Sequence, residues 1–257
     1  GEVRLAPLWR SVHTLLLHSH AWVRLLACQL VGLYLALVPA TQMLAIVTKG
    51  GCWPQGPDTV RGLVLDLLEQ LCLSQEADSE LGTQVTKNLV ALAKLLLQEG
   101  WQGLETEASF HWMIRKAVKV ANQELISSPK VKARRTLVFS LVAACCMDAS
   151  EEAVVSVLPL VLLPLHREVS SSGPEAELRN HCQEVLDLIK TKVDPDVFSD
   201  KYMEVQMNLA KRKGERVAQK KQNYVLNPKL AAKRKIQQNE SKKKAKKAKS
   251  NAKHELA

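Results

Sequence analysis

Val60-Arg61-Gly62-Leu63-Val64-Leu65-Asp66-Leu67-Leu68-Glu69-Gln70-Leu71 is the stretch that decides the fold class. Its apolar residues Val60, Leu63, Val64, Leu67, Leu68 and Leu71 fall at i, i+3, i+4, i+7, i+8 and i+11, which lays one stripe along a helix. Asp58 or Thr59 stands where it can cap the start. The spacing returns at Phe110, Met113, Ile114, Ala117, Val118, Ala121 and Leu125, and again at Leu178, Cys182, Val185, Leu186, Ile189 and Val193. No segment alternates apolar and polar residues for the length a half-buried strand needs.

Breakers separate the stripes: Pro39, then Gly50 to Pro57, Gly100 with Gly103, Ser127 to Pro129, and Ser170 to Pro174. They predict helices over roughly 5–18, 20–37, 41–48, 59–73, 81–98, 107–126, 131–147, 151–167 and 175–193. Short connections make successive helices antiparallel neighbours, and two helices with their turn occupy roughly 40 residues, the unit of HEAT and armadillo arrays. A faint internal echo agrees with this: Ser19, Val23, Arg24, Leu30 and Leu33 align 108 positions later with Ser127, Val131, Lys132, Val138 and Leu141. In such repeats the basic residue faces the turns and the apolar positions that follow pack inward. A compact helical bundle without repeats is the competing architecture.

Charge divides the chain. Residues 1–200 hold 18 Lys and Arg against 22 Asp and Glu, net −4, whereas residues 201–257 hold 18 against 4, net +14. From Asp196 the apolar positions thin to Tyr202, Val205, Leu209, Val217 and Tyr224, a pattern for a long helix attached by one edge. Pro228 interrupts it, and beyond Gln238 the chain is almost wholly Lys, Ala, Ser and Asn, too polar to bury a core. The expected organisation is an all-α chain: a HEAT-like α-solenoid over 1–195, an extended basic helix over 196–226, and a largely disordered Lys-rich tail over 227–257. The chain starts at Gly1 with its first methionine at Met43, which reads as the carboxy-terminal piece of a longer solenoid whose cut end exposes an apolar face.

Catalytic and cofactor chemistry finds no footing. No Gly-x-Ser-x-Gly, His-Glu-x-x-His, Gly-x-Gly-x-x-Gly or phosphate-loop pattern occurs, so neither enzyme nor small-molecule site is expected. His18, His20 and Cys28 match no closed tetrahedral spacing, and no Cys-x-x-Cys exists, so no metal is assigned. The six cysteines, Cys28, Cys52, Cys72, Cys145, Cys146 and Cys182, sit mostly in apolar stretches and suit a reducing compartment. Leu25 to Val47 runs 23 residues without a formal charge, but Pro39 divides it into pieces too short to span a bilayer. Trp22, Trp101 and Trp112 could stack on bases; on apolar helices they are read as core.

The basic segment is different in kind. Lys211, Arg212 and Lys213; Lys220 and Lys221; Lys233, Arg234 and Lys235; Lys242, Lys243 and Lys244; Lys246 and Lys247; and Lys249 form six clusters within 39 positions. So few acids accompany them that the tail cannot neutralise itself, and the clusters are candidates for RNA-phosphate contact, nuclear import, or both.

Val193-Asp194-Pro195-Asp196-Val197-Phe198, then Tyr202-Met203-Glu204-Val205-Gln206-Met207-Asn208-Leu209 and Lys211-Arg212-Lys213, resembles the carboxy-terminal end of the giant HEAT-repeat component of the small-subunit processome, the "down-regulated in metastasis" family. Asn227-Pro228-Lys229-Leu230-Ala231-Ala232-Lys233-Arg234-Lys235 is similar to a second element of that family, and Leu162-Leu163-Pro164-Leu165 to its last repeat. The closest likeness spans roughly 150–249; residues 1–149 agree in helical repeat character, the serine-rich Ser170 to Pro174 connection departs from the family pattern, and the final seven residues have no matched counterpart. The resemblance implies a nucleolar, nuclear scaffold without cofactor, assisting pre-18S ribosomal RNA maturation beside pre-rRNA, ribosome-assembly proteins and import receptors. A protein-only HEAT adaptor with a basic nuclear import tail is the alternative.

Overall fold

The computed structural model describes residues 5–49, 56–73, 80–102, 109–122, 128–171, 176–226, 232–233, 235–237, 239–241 and 243. The described residues are mostly helical, with no strand among them. The elements are α1 (Leu5–Leu15), α2 (Ala21–Leu37), α3 (Ala40–Lys49), α4 (Gly56–Leu73), α5 (Glu80–Leu96), α6 (Glu99–Gln102), α7 (Phe110–Ala121), α8 (Pro129–Asp148), α9 (Glu151–Val169), α10 (Ala176–Lys192) and α11 (Pro195–Leu226). Contacts divide the chain into two units, Gly1–Tyr202 and Met203–Ala257.

In the first unit the helices form two rows. α2, α5, α8 and α10 pack on one another in that order, and α4, α7 and α9 form a second row against them. Among the described residues of the three sequence stripes only Val118 is half-buried; the others are buried, including Val60, Leu63, Val64, Leu67, Leu68 and Leu71 of α4, Met113, Ile114 and Ala117 of α7, and Leu178, Cys182, Val185, Leu186 and Ile189 of α10, while Leu125 lies outside the described residues. The periodicity and the packing therefore have one cause, removal of a continuous apolar stripe from water. α4 begins at Gly56, so Asp58 falls inside its first turn instead of capping it, where its carboxylate still meets the positive end of the helix dipole.

Serine caps set several boundaries. Ser109, Ser128 and Ser150 each accept a hydrogen bond on Oγ from the backbone N–H three residues on, at Trp112, Val131 and Ala153 (3.1, 3.3 and 3.4 Å). Pro129 follows Ser128 at the first helical position, where its missing N–H costs nothing. α9 runs through Pro159 and Pro164, each of which removes a helix-interior donor. Burial of Val157, Leu158, Val161, Leu162 and Leu165 around them holds the helix in spite of that loss.

α2 meets α5 through backbone-level contacts. Asn88, buried, donates through Nδ2 to the Cys28 carbonyl at 2.8 Å and accepts from Gln84 Nε2 at 2.9 Å. Gly32 makes this approach possible, because a Cβ there would run into the Gln84 side chain and lie 2.7 Å from Asn88 Oδ1. The opposite face of α2 departs from the expectation of inward packing. Trp22, Leu26, Leu30, Leu33 and Leu37 form a stripe along it and stay 48–80% exposed. α2 is the first helix of its row: α5 and α1 cover two of its faces, and no further described helix covers the third. Trp22 is thus not core, whereas Trp101 and Trp112 are.

The 108-residue echo holds in helix position and changes in chemistry. His20 and Ser128 are the N-caps of α2 and α8. Arg24, four residues past the first cap, donates through Nη1 to the carbonyls of His18 and Ser19 at 2.8 and 2.9 Å, closing the α1–α2 turn. Its counterpart Lys132 pairs with Glu177 instead, and Arg135, nearly one turn further along, donates to the Ala121 carbonyl at 3.1 Å. Val138 and Leu141 are buried while their partners Leu30 and Leu33 are exposed, because α8 lies between α5 and α10 and α2 ends its row.

No single helix among the described residues is long and apolar enough to cross a membrane. α2 and α3 together pass by length and composition, but they are bent by 102° at the break around Pro39.

Candidate nucleic-acid interface

The basic segment starts from a capped and anchored helix. Asp194 Oδ1 accepts from the backbone N–H groups of Asp196 and Val197 at 2.9 and 3.2 Å, and Pro195 takes the first helical position of α11. Glu151 Oε1, at the start of α9, accepts from the Asp194 N–H at 2.8 Å. Phe198 is buried and stacks on Tyr202, with ring centroids 5.8 Å apart and planes 12° from parallel. The Tyr202 hydroxyl shares a 2.7 Å hydrogen bond with His166 Nδ1, and Ser170 Oγ lies 3.3 Å from His166 Nε2. The residues that carried the family resemblance at 193–202 therefore seat the helix. Asp194→Ala should lower stability by about 1 kcal/mol in chemical denaturation, because the two donors at the head of α11 lose their acceptor.

Beyond Tyr202 the helix changes character. Residues 210–222 are all exposed. Lys211, Arg212, Lys213, Arg216, Lys220 and Lys221 face one acid there, Glu215. At about 100° per residue, Lys211, Arg212 and Lys213 project in three directions, while Lys213 and Lys220 share a face. Charge is therefore spread around the helix instead of collected into one stripe, an arrangement suited to a flexible polyanion that can follow it.

In the tail, Lys233, Lys235 and Lys243 are exposed. Arg234, Lys242, Lys244, Lys246, Lys247 and Lys249 lie outside the described residues, as does Cys52. The described tail positions, 232–233, 235–237, 239–241 and 243, are helical, within a segment, 227–257, whose composition predicts a largely disordered tail. Ala, Lys and Gln are strong helix formers, and low hydrophobicity does not remove that preference. Ser241 Oγ donates to the Gln237 carbonyl at 2.9 Å.

No group of three or more His, Cys, Asp or Glu suited to a metal occurs among the described residues. Cys28, to which the sequence assigns no metal, is buried among apolar side chains that push its thiol up to about 12; burial does the same to Cys146 and Cys182, and Cys145 is raised further. These thiols stay protonated, which makes them packing groups and poor nucleophiles. One feature of the first unit escaped the sequence reading. Arg61 of α4 and Lys116 of α7 both lie over the Trp112 ring, 5.7 and 5.9 Å from its centroid. No local motif announces it, since the two cations come from helices more than 50 positions apart.

A family model described as "Small subunit processome component 20 homolog, C-terminal" matches residues 4–252. The chain is also similar to U3 small nucleolar RNA-associated protein 20 of Schizosaccharomyces pombe (strain 972 / ATCC 24843), with 25% identity over 247 residues. That match covers 91% of this chain and 9% of the relative, so the chain spans about a tenth of the length of the curated relative it matches.

Proposed function

The chain belongs to the family of small subunit processome component 20 homologues, as a representative of its C-terminal region, and from that premise we propose that it is a non-enzymatic scaffold in small ribosomal subunit biogenesis. Residues 1–195 serve as the end of a HEAT-like α-solenoid, 196–226 as an extended basic helix and 227–257 as a Lys-rich tail. The stacked helices present a stiff surface to assembly proteins and folded RNA. The basic helix and tail run along phosphates of pre-18S ribosomal RNA in a nucleolar ribonucleoprotein. The observation that carries this reading is the family match across 4–252, which takes in the helical rows, the basic helix and most of the tail together.

Lys211, Arg212, Lys213, Lys220 and Lys221 on the helix, and Lys233, Arg234, Lys235, Lys242, Lys243, Lys244, Lys246, Lys247 and Lys249 on the tail, are the phosphate contacts in this proposal. Phosphate contacts position a protein without reading bases. Replacing Lys242, Lys243 and Lys244 with Ala should accordingly weaken binding to unrelated RNA sequences about equally, as measured by fluorescence anisotropy. The same clusters serve as the import address. A fluorescent reporter fused to residues 201–257 should enter the nucleus and concentrate in nucleoli; uniform cytoplasmic fluorescence would contradict this.

The second reading is a protein-only adaptor whose tail acts as an import signal alone. Affinity capture from nuclear extract with and without RNase separates the two. The scaffold proposal expects most partners to be lost with the RNA, and retention of every partner would favour the adaptor.

A further inference from the structure

The outer face of α7 carries positive charge that no carboxylate among the described residues pairs with. Over Phe110–Ala121 the helix contains Arg115, Lys116 and Lys119 and no acidic residue. His111, Arg115 and Lys119 fall at i, i+4 and i+8, all exposed, so they form a ladder with steps of about 6 Å along the axis, of which Arg115 and Lys119 supply the charge. Like charges four residues apart on a helix repel. No carboxylate stands within ion-pair distance of Arg115, Lys116 or Lys119 among the described residues, although Lys94, Lys132 and Arg135 of the neighbouring helices all have such partners. Beside this ladder the buried Trp112 holds the Lys116 head and adds one more cation, Arg61 from α4, through the negative face of its ring.

We infer that this α4–α7 face is a second phosphate-contacting surface for RNA, separate from the basic helix and tail. The inference rests on the RNA reading above and deepens it. RNA is favoured over an acidic protein because the ladder offers charge without apolar anchors. Trp112, Met113 and Ile114 are turned inward, whereas a protein interface takes most of its energy from aromatic and aliphatic side chains buried at its centre. Phosphate binding needs only positioned cations that release condensed counterions. Here those cations sit on packed helices, so the surface is pre-shaped and suits the fixed phosphate rows of a double-helical segment as well as a single strand.

The test uses the full chain in three forms: unaltered, Arg115→Gln with Lys119→Gln, and a form with Lys211, Lys213, Lys220, Lys221, Lys242, Lys243 and Lys244 changed to Gln. Each is titrated at several salt concentrations with a 20-base-pair RNA duplex, an unstructured RNA of equal length, and polyglutamate of equal charge. Thermal unfolding should be nearly unchanged by the α7 double variant, as both residues are exposed. Its salt slope on duplex RNA should become shallower by about 1.5, so its loss of affinity relative to the unaltered chain should be about 30-fold larger at about 0.1 M than at about 1 M salt. Arg115→Lys should keep the slope. Loss confined to the duplex assigns the surface to double-helical segments, and loss on both RNAs extends it to single strands. An unchanged slope in the α7 variant, with binding lost in the tail variant, overturns the second surface and leaves the tail reading standing. Retained binding in the tail variant with loss in the α7 variant supports the surface and removes the tail from RNA contact. Tighter, α7-dependent binding of polyglutamate than of either RNA would overturn the inference in favour of an acidic protein.

Discussion

Raising monovalent salt from 50 to 200 mM should weaken binding of this chain to an unstructured RNA by about 10³-fold. Residues 201–257 carry 18 basic side chains against 4 acidic ones. If roughly six to eight of the 18 engage phosphates, each contributes about −0.7 to the slope of log K against log salt, for a total of about −4 to −6. A fourfold change in salt then gives the stated loss. Removing residues 211–257 should abolish most of this slope and leave thermal unfolding of the helical rows nearly unchanged, because residues 211–222, Leu226 and the described tail positions are all exposed. Salt-independent binding by the whole chain, or undiminished binding after the truncation, would assign RNA contact to the helical rows and reduce the tail to an import signal.

Leu67→Ala should destabilise the first unit by about 2 to 5 kcal/mol, the second large effect expected. Leu67 is fully buried on α4, which packs against α5, α7 and α8, so truncation leaves a cavity that several helices would have to move to fill. Leu65, two residues away and directed outward, is the control: it is 39% exposed, and Leu65→Ala should cost less than about 1 kcal/mol. Chemical denaturation of the two variants compares the same chemistry on opposite faces of one helix. Equal losses would mean that the stripe does not organise the core.

The stripe around Leu67 also shows why so much of the fold was legible. Helix period and burial are two descriptions of one constraint, so α4, α7 and α10 could be placed from their apolar positions alone. Breakers placed most ends within a few residues, and the serine caps account for the starts of α7, α8 and α9. What escaped depends on neighbours distant in the chain. Trp22 and Leu33 have the spacing of core residues, but α2 is the first helix of its row and that stripe remains exposed. The echo located the turn-facing cation on α8 at Lys132, whereas Arg135 makes the carbonyl contact, because Glu177 from α10 takes the lysine.

The candidate interface divides in the same way. Lysine clusters in a chain otherwise slightly acidic are visible to arithmetic, and the exposed run at 210–222 agrees with them. The helix that presents them relies on features no composition reveals: the Asp194 cap, the bond from Asp194 to Glu151, and the Tyr202 to His166 contact. The cations around Trp112 are legible only after folding, since Arg61 belongs to one helix and Lys116 to another.

The most direct measurement is pulse-labelling of ribosomal RNA in cells depleted of the protein and resupplied with either the unaltered form or one whose basic residues between 211 and 249 are neutralised but which is sent to the nucleus by an unrelated import signal. The scaffold account predicts that mature 18S RNA falls and its precursors accumulate in the neutralised case, while the large-subunit RNAs continue to mature. Normal 18S production from the neutralised protein would contradict it.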